Sequence, residues 1–149
     1  MLTVDKKNND TSWGAVYAQF TQPSAEIASS ASGIKITRKV ERMGDKAKVT
    51  LELKADRDYD FVQIVDKRAA CLEPVNQKSG YQMGGYYISP RDNTTNYYFD
   101  RLSKGKHIVS TEYYIDRKGE YQAGTCSVQC AYSPEFGGHT ESYSLNIKE

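Results

Sequence analysis

Proline and cysteine are scarce in this chain, four and three among 149 residues. The shortage of proline excludes a Pro-rich stalk. Three cysteines, Cys71, Cys126 and Cys130, allow at most one internal disulfide, so a small disulfide-framed fold is excluded. Charge of one sign is missing too: 20 Lys and Arg against 19 Asp and Glu leave a net charge of +1. The basic excess that phosphate recognition needs is absent, which disfavours a nucleic-acid partner. No apolar run approaches the ~18 residues of a membrane span, and Met1–Lys7 contains no apolar signal core. Walker loop, dinucleotide fingerprint, nucleophile elbow and HExxH are all lacking. No 11-residue window carries a helical period. What the chain has in plenty is tyrosine, 12 residues against 4 Phe and 1 Trp. Tyrosine suits pleated, half-buried surfaces, where the ring packs and the hydroxyl reaches water. The length fits one domain with its own core.

The pattern along the chain is that of strands. Trp13–Phe20 reads as a short extended segment anchored by Trp, Val and aromatic residues, and 22–33 as a small, polar crossing loop. Ile34, Ile36 and Val40 alternate with charged residues. After the Gly44-Asp45 turn, Val49, Leu51 and Leu53 alternate with Thr50, Glu52 and Lys54, the period of two of a half-buried strand. Phe61-Val-Gln-Ile-Val65 is apolar on both faces, which predicts a central strand. Residues 69–91, with five Gly and Pro, read as a long excursion. Strands follow over 97–99, 107–115, 121–132 and 141–147, the last with Tyr143, Leu145 and Ile147 on one face. The sum predicts an all-β protein, an antiparallel β-sandwich of seven to nine strands of the immunoglobulin or fibronectin type. The charged clusters Asp56-Arg-Asp58, Asp66-Lys-Arg68, Asp100-Arg101 and Asp116-Arg-Lys118 read as solvated strand ends that also block edge pairing.

Few residues suggest chemistry. Cys71 with His107 or His139 is a conceivable thiol–imidazole pair, but Ala69-Ala-Cys-Leu72 is the apolar setting of an inert thiol. Cys126 and Cys130 with His139 suggest a metal site only if the segment leaves strand geometry, since residues four apart on a strand lie about 13 Å apart. Neither a metal nor a cofactor is expected, and no enzymatic activity. Asn9-Asp-Thr11 and Asn93-Thr-Thr95 are glycosylation triplets that matter only in a glycosylating secretory pathway. Tyr81, Tyr86 and Tyr87 around Gly84-Gly85 form a possible aromatic surface for sugar rings.

Six segments, in order, carry a resemblance: Trp13-Gly-Ala-Val-Tyr-Ala-Gln19, Phe61 to Pro74, Ser79-Gly-Tyr81, Tyr97-Tyr-Phe-Asp100, Gly119-Glu-Tyr-Gln122 and Cys130-Ala-Tyr-Ser-Pro-Glu-Phe136. The ensemble resembles the C-terminal macroglobulin-like domain of bacterial alpha-2-macroglobulins of the Bacteroides type. The resemblance implies a non-catalytic antiparallel β-sandwich of the macroglobulin or fibronectin type III kind at 13–149, after a disordered or expression-derived N-terminus at 1–12. It implies a fragment of a large endopeptidase inhibitor of the periplasm or cell envelope, held to a membrane only through a lipid anchor. In such proteins this domain packs against the thioester domain and shields it, and target endopeptidases are trapped elsewhere in the chain. Cys71-Leu-Glu is followed by Pro74 where the family's thioester motif has glutamine, so no thioester is expected here. The resemblance points to Tyr132, with Pro134 and Glu135 in Ala131-Tyr-Ser-Pro-Glu-Phe136, as the thioester-shielding or interdomain contact. A corner tyrosine tied to its own backbone is the competing reading. A carbohydrate- or surface-binding module of the cell envelope, with Tyr81, Tyr86 and Tyr87 as the platform, is the alternative function.

Overall fold

The computed structural model describes residues 3–19, 21–23 and 26–148. Phe20 of the expected extended segment, and Ser24 and Ala25 of the crossing loop, lie outside the described residues. Among the described residues there is no α-helix, and 13 strands occur. They are β1 (Ser30–Ser32), β2 (Ile34–Met43), β3 (Lys46–Ala55), β4 (Tyr59–Lys67), β5 (Leu72–Pro74), β6 (Gly80–Gln82), β7 (Tyr86–Pro90), β8 (Thr94–Leu102), β9 (Gly105–Ile115), β10 (Gly119–Ala123), β11 (Cys126–Cys130), β12 (Gly137–His139) and β13 (Tyr143–Ile147). Four of them, β1, β5, β6 and β12, are three-residue pairings. Without those four, the remainder match the expected seven to nine.

Eleven strands form one antiparallel ladder in the order β5-β9-β3-β2-β1-β12-β11-β4-β8-β7-β6, and β10 pairs with β13 separately. The long ladder folds on itself. β8 and β9 are distant in it, yet Tyr97 and Thr111 share a hydrogen bond of 2.5 Å, and Thr95 and Tyr113 one of 2.7 Å. So β5-β9-β3-β2 faces β11-β4-β8-β7-β6 as a sandwich, with β1 and β12 turning the corner. Alternation fills the space between: Val49, Leu51 and Leu53 from β3, Val62 and Ile64 from β4, Tyr97 and Phe99 from β8, and Val109 and Tyr113 from β9 are all buried. Ala123 and Ile147 of the small ladder are buried in the same core, with Tyr143 and Leu145 packed against it.

The corner depends on glycine. Gly138 pairs with Ala31 on one side and Val128 on the other. A Cβ there would stand 2.5 Å from the Ser30 carbonyl oxygen and 2.9 Å from that of Ile34, both backbone atoms that no side-chain motion can relieve. Gly138→Ala is therefore expected to lower the urea midpoint, with a loss of about 1–3 kcal/mol from overpacking. An unchanged midpoint would mean that the corner is not tightly closed.

Three expectations need correction. Trp13, Val16 and Tyr17 anchor nothing: they are exposed by 93%, 67% and 92% and join no ladder. Residues 121–132 are two strands rather than one, because β10 belongs to the small ladder and β11 to the large one, with Gly124 and Thr125 between. The excursion over 69–91 contains β5, β6 and β7. Their pairings are too short to leave a period in the sequence. β4 is central, between β11 and β8, as its apolar run predicts.

Candidate functional site

The loop from Ala131 to Phe136 is built on a kink in β4. Inward-facing residues of β4 are Tyr59, then Val62 and Ile64, so Asp60 and Phe61 are both exposed and the alternation changes phase between them. β8 changes phase opposite, at Asp100 and Arg101. Phe61 takes φ 53°, the left-handed region, where a bulky residue is a genuine outlier. That conformation puts its ring on the outside, 51% exposed. The Ala131 amide donates to the Phe61 carbonyl at 2.8 Å, and the Cys130 amide to that of Phe136 at 3.1 Å. A turn closed by the Phe136 amide on the Ser133 carbonyl (3.0 Å) then presents Tyr132. Its ring stands edge-on to Phe61, centroids 5.3 Å apart at 88°, and is 82% exposed. Tyr132 is thus no buried corner tyrosine. Pro134 and Glu135 are exposed beside it, and the Pro134 carbonyl accepts from the side-chain amide Nε2 of Gln129 at 3.4 Å. Phe136 turns inward onto Tyr59, centroids 5.5 Å apart.

The three tyrosines around Gly84-Gly85 do not form one platform. Tyr86 faces inward, 5.4 Å from Phe99 and 6.0 Å from Tyr97. Tyr81 and Tyr87 lie on the outer face, edge to face at 5.2 Å and 80°. Their outer-face neighbour is Tyr98, 6.4 Å from Tyr87. Strand alternation separates the adjacent Tyr86 and Tyr87, which the glycine-rich context conceals in the sequence.

A buried polar cluster went unread in the sequence. Arg38 and Asp66 form an ion pair at 2.6 Å with both side chains 3% exposed. Arg38 also donates to the carbonyls of Gly124 (2.6 Å) and Glu141 (3.2 Å), and its guanidinium lies 4.4 Å over the Tyr143 ring. One residue of β2 thereby holds β4 and both strands of the small ladder, at the end where Ala123 pairs with Tyr143. Burial raises the Asp66 carboxyl above its ordinary range, with Arg38 opposing. Burial, then the Asp66 charge, pushes the Cys126 thiol up. The reading of Asp66-Lys-Arg68 as a solvated strand end is corrected: Arg68 also turns in, donating to the carbonyls of Thr94 and Arg91 at 2.5 Å and of Asp92 at 2.7 Å. The signal was phase. Arg38 falls on the face of Ile34, Ile36 and Val40, and Asp66 on that of Val62 and Ile64. The other charged clusters are solvated, with exposed pairs such as Arg101–Asp58 and Arg117–Asp116.

A groove of about 500 Å³ runs between β2 and β13 with Arg38 and Tyr143 among its lining residues. It offers small hydroxyls, Ser142 and Ser144 among them, and its guanidinium is committed to internal acceptors.

A model of the bacterial alpha-2-macroglobulin MG10 domain matches residues 20–135. The chain belongs to the bacterial alpha-2-macroglobulin MG10 family. A comparison with curated proteins finds no match. Among solved structures, the fold is similar to native Escherichia coli alpha-2-macroglobulin from domain MG7 to the C-terminus, at 19% identity and TM-score 0.70, covering 84% of this chain and 25% of that one. It is similar to E. coli alpha-2-macroglobulin activated by porcine elastase, at 18% and 0.72, covering 85% and 14%. It is also similar to Salmonella alpha-2-macroglobulin reacted with methylamine, at 22% and 0.70, covering 84% and 10%. The MG10 chain spans a quarter or less of the length of these relatives.

In this MG10 domain, Cys71, Cys126 and Cys130 are free, buried thiols. Cys71 precedes β5, an edge strand whose Pro74 lies opposite Tyr113 of β9. Proline is tolerated at such an edge because no further strand needs its missing N–H. His107 is occupied by the Ser103 carbonyl (2.7 Å), and His139 by Ser30 Oγ (2.9 Å) and the Ala28 carbonyl (2.9 Å). No helix among the described residues is long and apolar enough to cross a membrane.

Proposed function

We propose that the chain is the non-catalytic, C-terminal macroglobulin-like domain of a larger bacterial endopeptidase inhibitor of the alpha-2-macroglobulin type. In this reading it packs against the thioester domain of its parent and shields it. Residues 13–149 form one unit of that parent, with Trp13–Gln19 as an exposed lead-in. The parent lies in the periplasm or cell envelope and meets a membrane only through a lipid anchor. Target endopeptidases engage other parts of the chain. Tyr132, Pro134 and Glu135 make the contact with the thioester domain. The observation that carries this reading is an aromatic residue held out of the fold: Tyr132 is 82% exposed, yet is propped by the Phe61 ring and tied through Ala131 to the Phe61 backbone. Apolar area so presented gains about 25 cal/mol per Å² when a partner covers it, before the costs of ordering.

Tyr132→Phe and Tyr132→Ala separate the roles. In the 149-residue chain neither is expected to change stability by more than about 0.5 kcal/mol, as for other surface sites. In the parent, Tyr132→Ala is expected to speed spontaneous loss of the thioester severalfold, measured as appearance of free thiol. Equal rates for parent and variant would overturn the shielding role.

A further inference from the structure

The two aromatic clusters lie on one surface. Register pairs Gln129 with Gln63, Gln63 with Tyr98, Tyr98 with Tyr87 and Tyr87 with Tyr81. These five residues form a single row across β11, β4, β8, β7 and β6, on the outer face of that layer. Neighbouring strands are about 4.8 Å apart, so the row is roughly 19 Å long. The adjacent row runs Ser127, Val65, Asn96 and Ser89. Neither row contains a charge. Phe61 continues the outward positions of Gln63 and Val65, and Tyr132 stands against it, so the kinked end of β4 extends the same face. Charges stand at the margins, Lys67 at one end and Asp60, Asp100, Arg101 and Glu135 around the kinked end.

The outer face of the opposite layer is unlike it. Its rows are Lys35–Lys54–Lys106, Thr37–Glu52–Ile108, Lys39–Thr50–Ser110 and Glu41–Lys48–Glu112. Every one carries charge. In a chain that is 26% charged, one outer face has been kept neutral and the other has not. The neutral face also holds Asn96 Oδ1, a buried acceptor with no hydrogen-bond partner among the described residues.

We propose that this neutral face is the surface through which the domain packs on a second folded domain of its parent chain, with Tyr132 and Phe61 at one end and Tyr81 at the other. This rests on the reading that the chain is part of a larger inhibitor, and it extends the contact from one loop to a whole sheet face. The occupant is a neutral protein surface that offers hydrogen-bond partners to Gln63, Gln129 and the tyrosine hydroxyls and a recess for the Tyr132–Phe61 pair. Depletion of charge with enrichment of tyrosine is the composition of a protein interface core. The relatives are four to ten times longer than the matched region, and such a length supplies the second domain. A sugar ring is the poorer occupant, because it lies flat on an aromatic face, whereas Tyr81 and Tyr87 meet at 80° and Tyr87 and Tyr98 at 54°.

Hydroxyl-radical footprinting read by mass spectrometry, on the 149-residue chain and on the whole parent inhibitor, tests this. Tyr81, Tyr87, Phe61 and Tyr132 are expected to label severalfold more slowly in the parent, while Ile108 and Tyr114 on the charged face label alike in both. Protection of Phe61 and Tyr132 with Tyr81 and Tyr87 unprotected would overturn the extended face and leave the loop contact standing. Protection of Ile108 and Tyr114 instead would place the partner on the opposite layer and overturn the proposal. Slowed labelling of Tyr81 and Tyr87 in the 149-residue chain on adding soluble peptidoglycan fragments, with no protection in the parent, would give the face to a glycan.

Discussion

Arg38→Met is expected to destabilise the domain by about 3–5 kcal/mol, the cost of stranding one member of a buried ion pair. The arginine leaves behind a carboxylate 3% exposed, together with the Gly124 and Glu141 carbonyls it had served. Domains of this size hold only about 5–15 kcal/mol in total, so the loss takes a large share. Chemical denaturation measures it. Met fills much of the same volume, so the missing charge and not a cavity is what the experiment reports. Two controls sharpen the result. Arg38→Met combined with Asp66→Leu removes the stranded charge, and the double variant is expected to be more stable than the single one. Lowering the pH of the single variant from 7 toward 5 is expected to return part of the loss. Burial already raises the folded-state Asp66 carboxyl, with Arg38 opposing. Without Arg38 the folded state binds a proton more readily than the unfolded one, so stability rises as pH falls. A loss below about 1 kcal/mol at pH 7 would show that the pair is dispensable, since hydrogen bonds to charged groups are worth more than that.

How far this fold was legible depended on which physical signal each element left. β3 and β9 wrote their burial directly into period-two alternation, and β4 showed its central place through apolar residues on both faces. β5, β6 and β12 were invisible because a three-residue pairing is shorter than the period needed to detect it. Trp13–Gln19 misled for a different reason: an aromatic, alternating segment looks like a strand, but a strand needs a sheet edge to join. Arg38 and Asp66 were hidden by their type. A charged residue reads as solvent-facing even where the phase of its neighbours turns it inward, and only the phase was informative. The Tyr132 loop was legible only through the resemblance carried by Ala131-Tyr-Ser-Pro-Glu-Phe136. Its partner Phe61 was not, because nothing in the local sequence announces a left-handed φ at a phenylalanine. The neutral outer face could not be seen at all, since Gln129, Gln63, Tyr98, Tyr87 and Tyr81 come from five strands and meet only through register.

Raising the pH through the range from about 10 to 12 is expected to unfold the domain cooperatively. Burial lifts the Tyr113 phenol to about 12, with the Asp66 charge adding to it. Burial likewise raises Tyr97, where Tyr113 is the second cause, and Tyr143, where Asp66 is. A phenol whose folded value lies above its unfolded value stabilises the fold fully below about pH 10, and that stability is lost as the pH climbs toward the folded value. For Tyr113 alone the interval is about two pH units, or about 3 kcal/mol by pH 12. With three such phenols the slope approaches about 4 kcal/mol per pH unit, enough to exhaust an ordinary margin of about 5–15 kcal/mol. The geometry explains the resistance: Tyr97 and Tyr113 are fully buried, and their hydroxyls are shared with Thr111 and Thr95 across the middle of the sandwich. Ionising either would place a charge between the two layers. Tyrosinate absorbance from Tyr97, Tyr113 and Tyr143 should therefore rise together with loss of the far-UV β signal. Tyr97→Phe should move that transition upward in pH, since it removes one of the ionising groups. Ionisation of Tyr97, Tyr113 and Tyr143 near pH 10 with the β signal intact would mean that the sandwich core admits water.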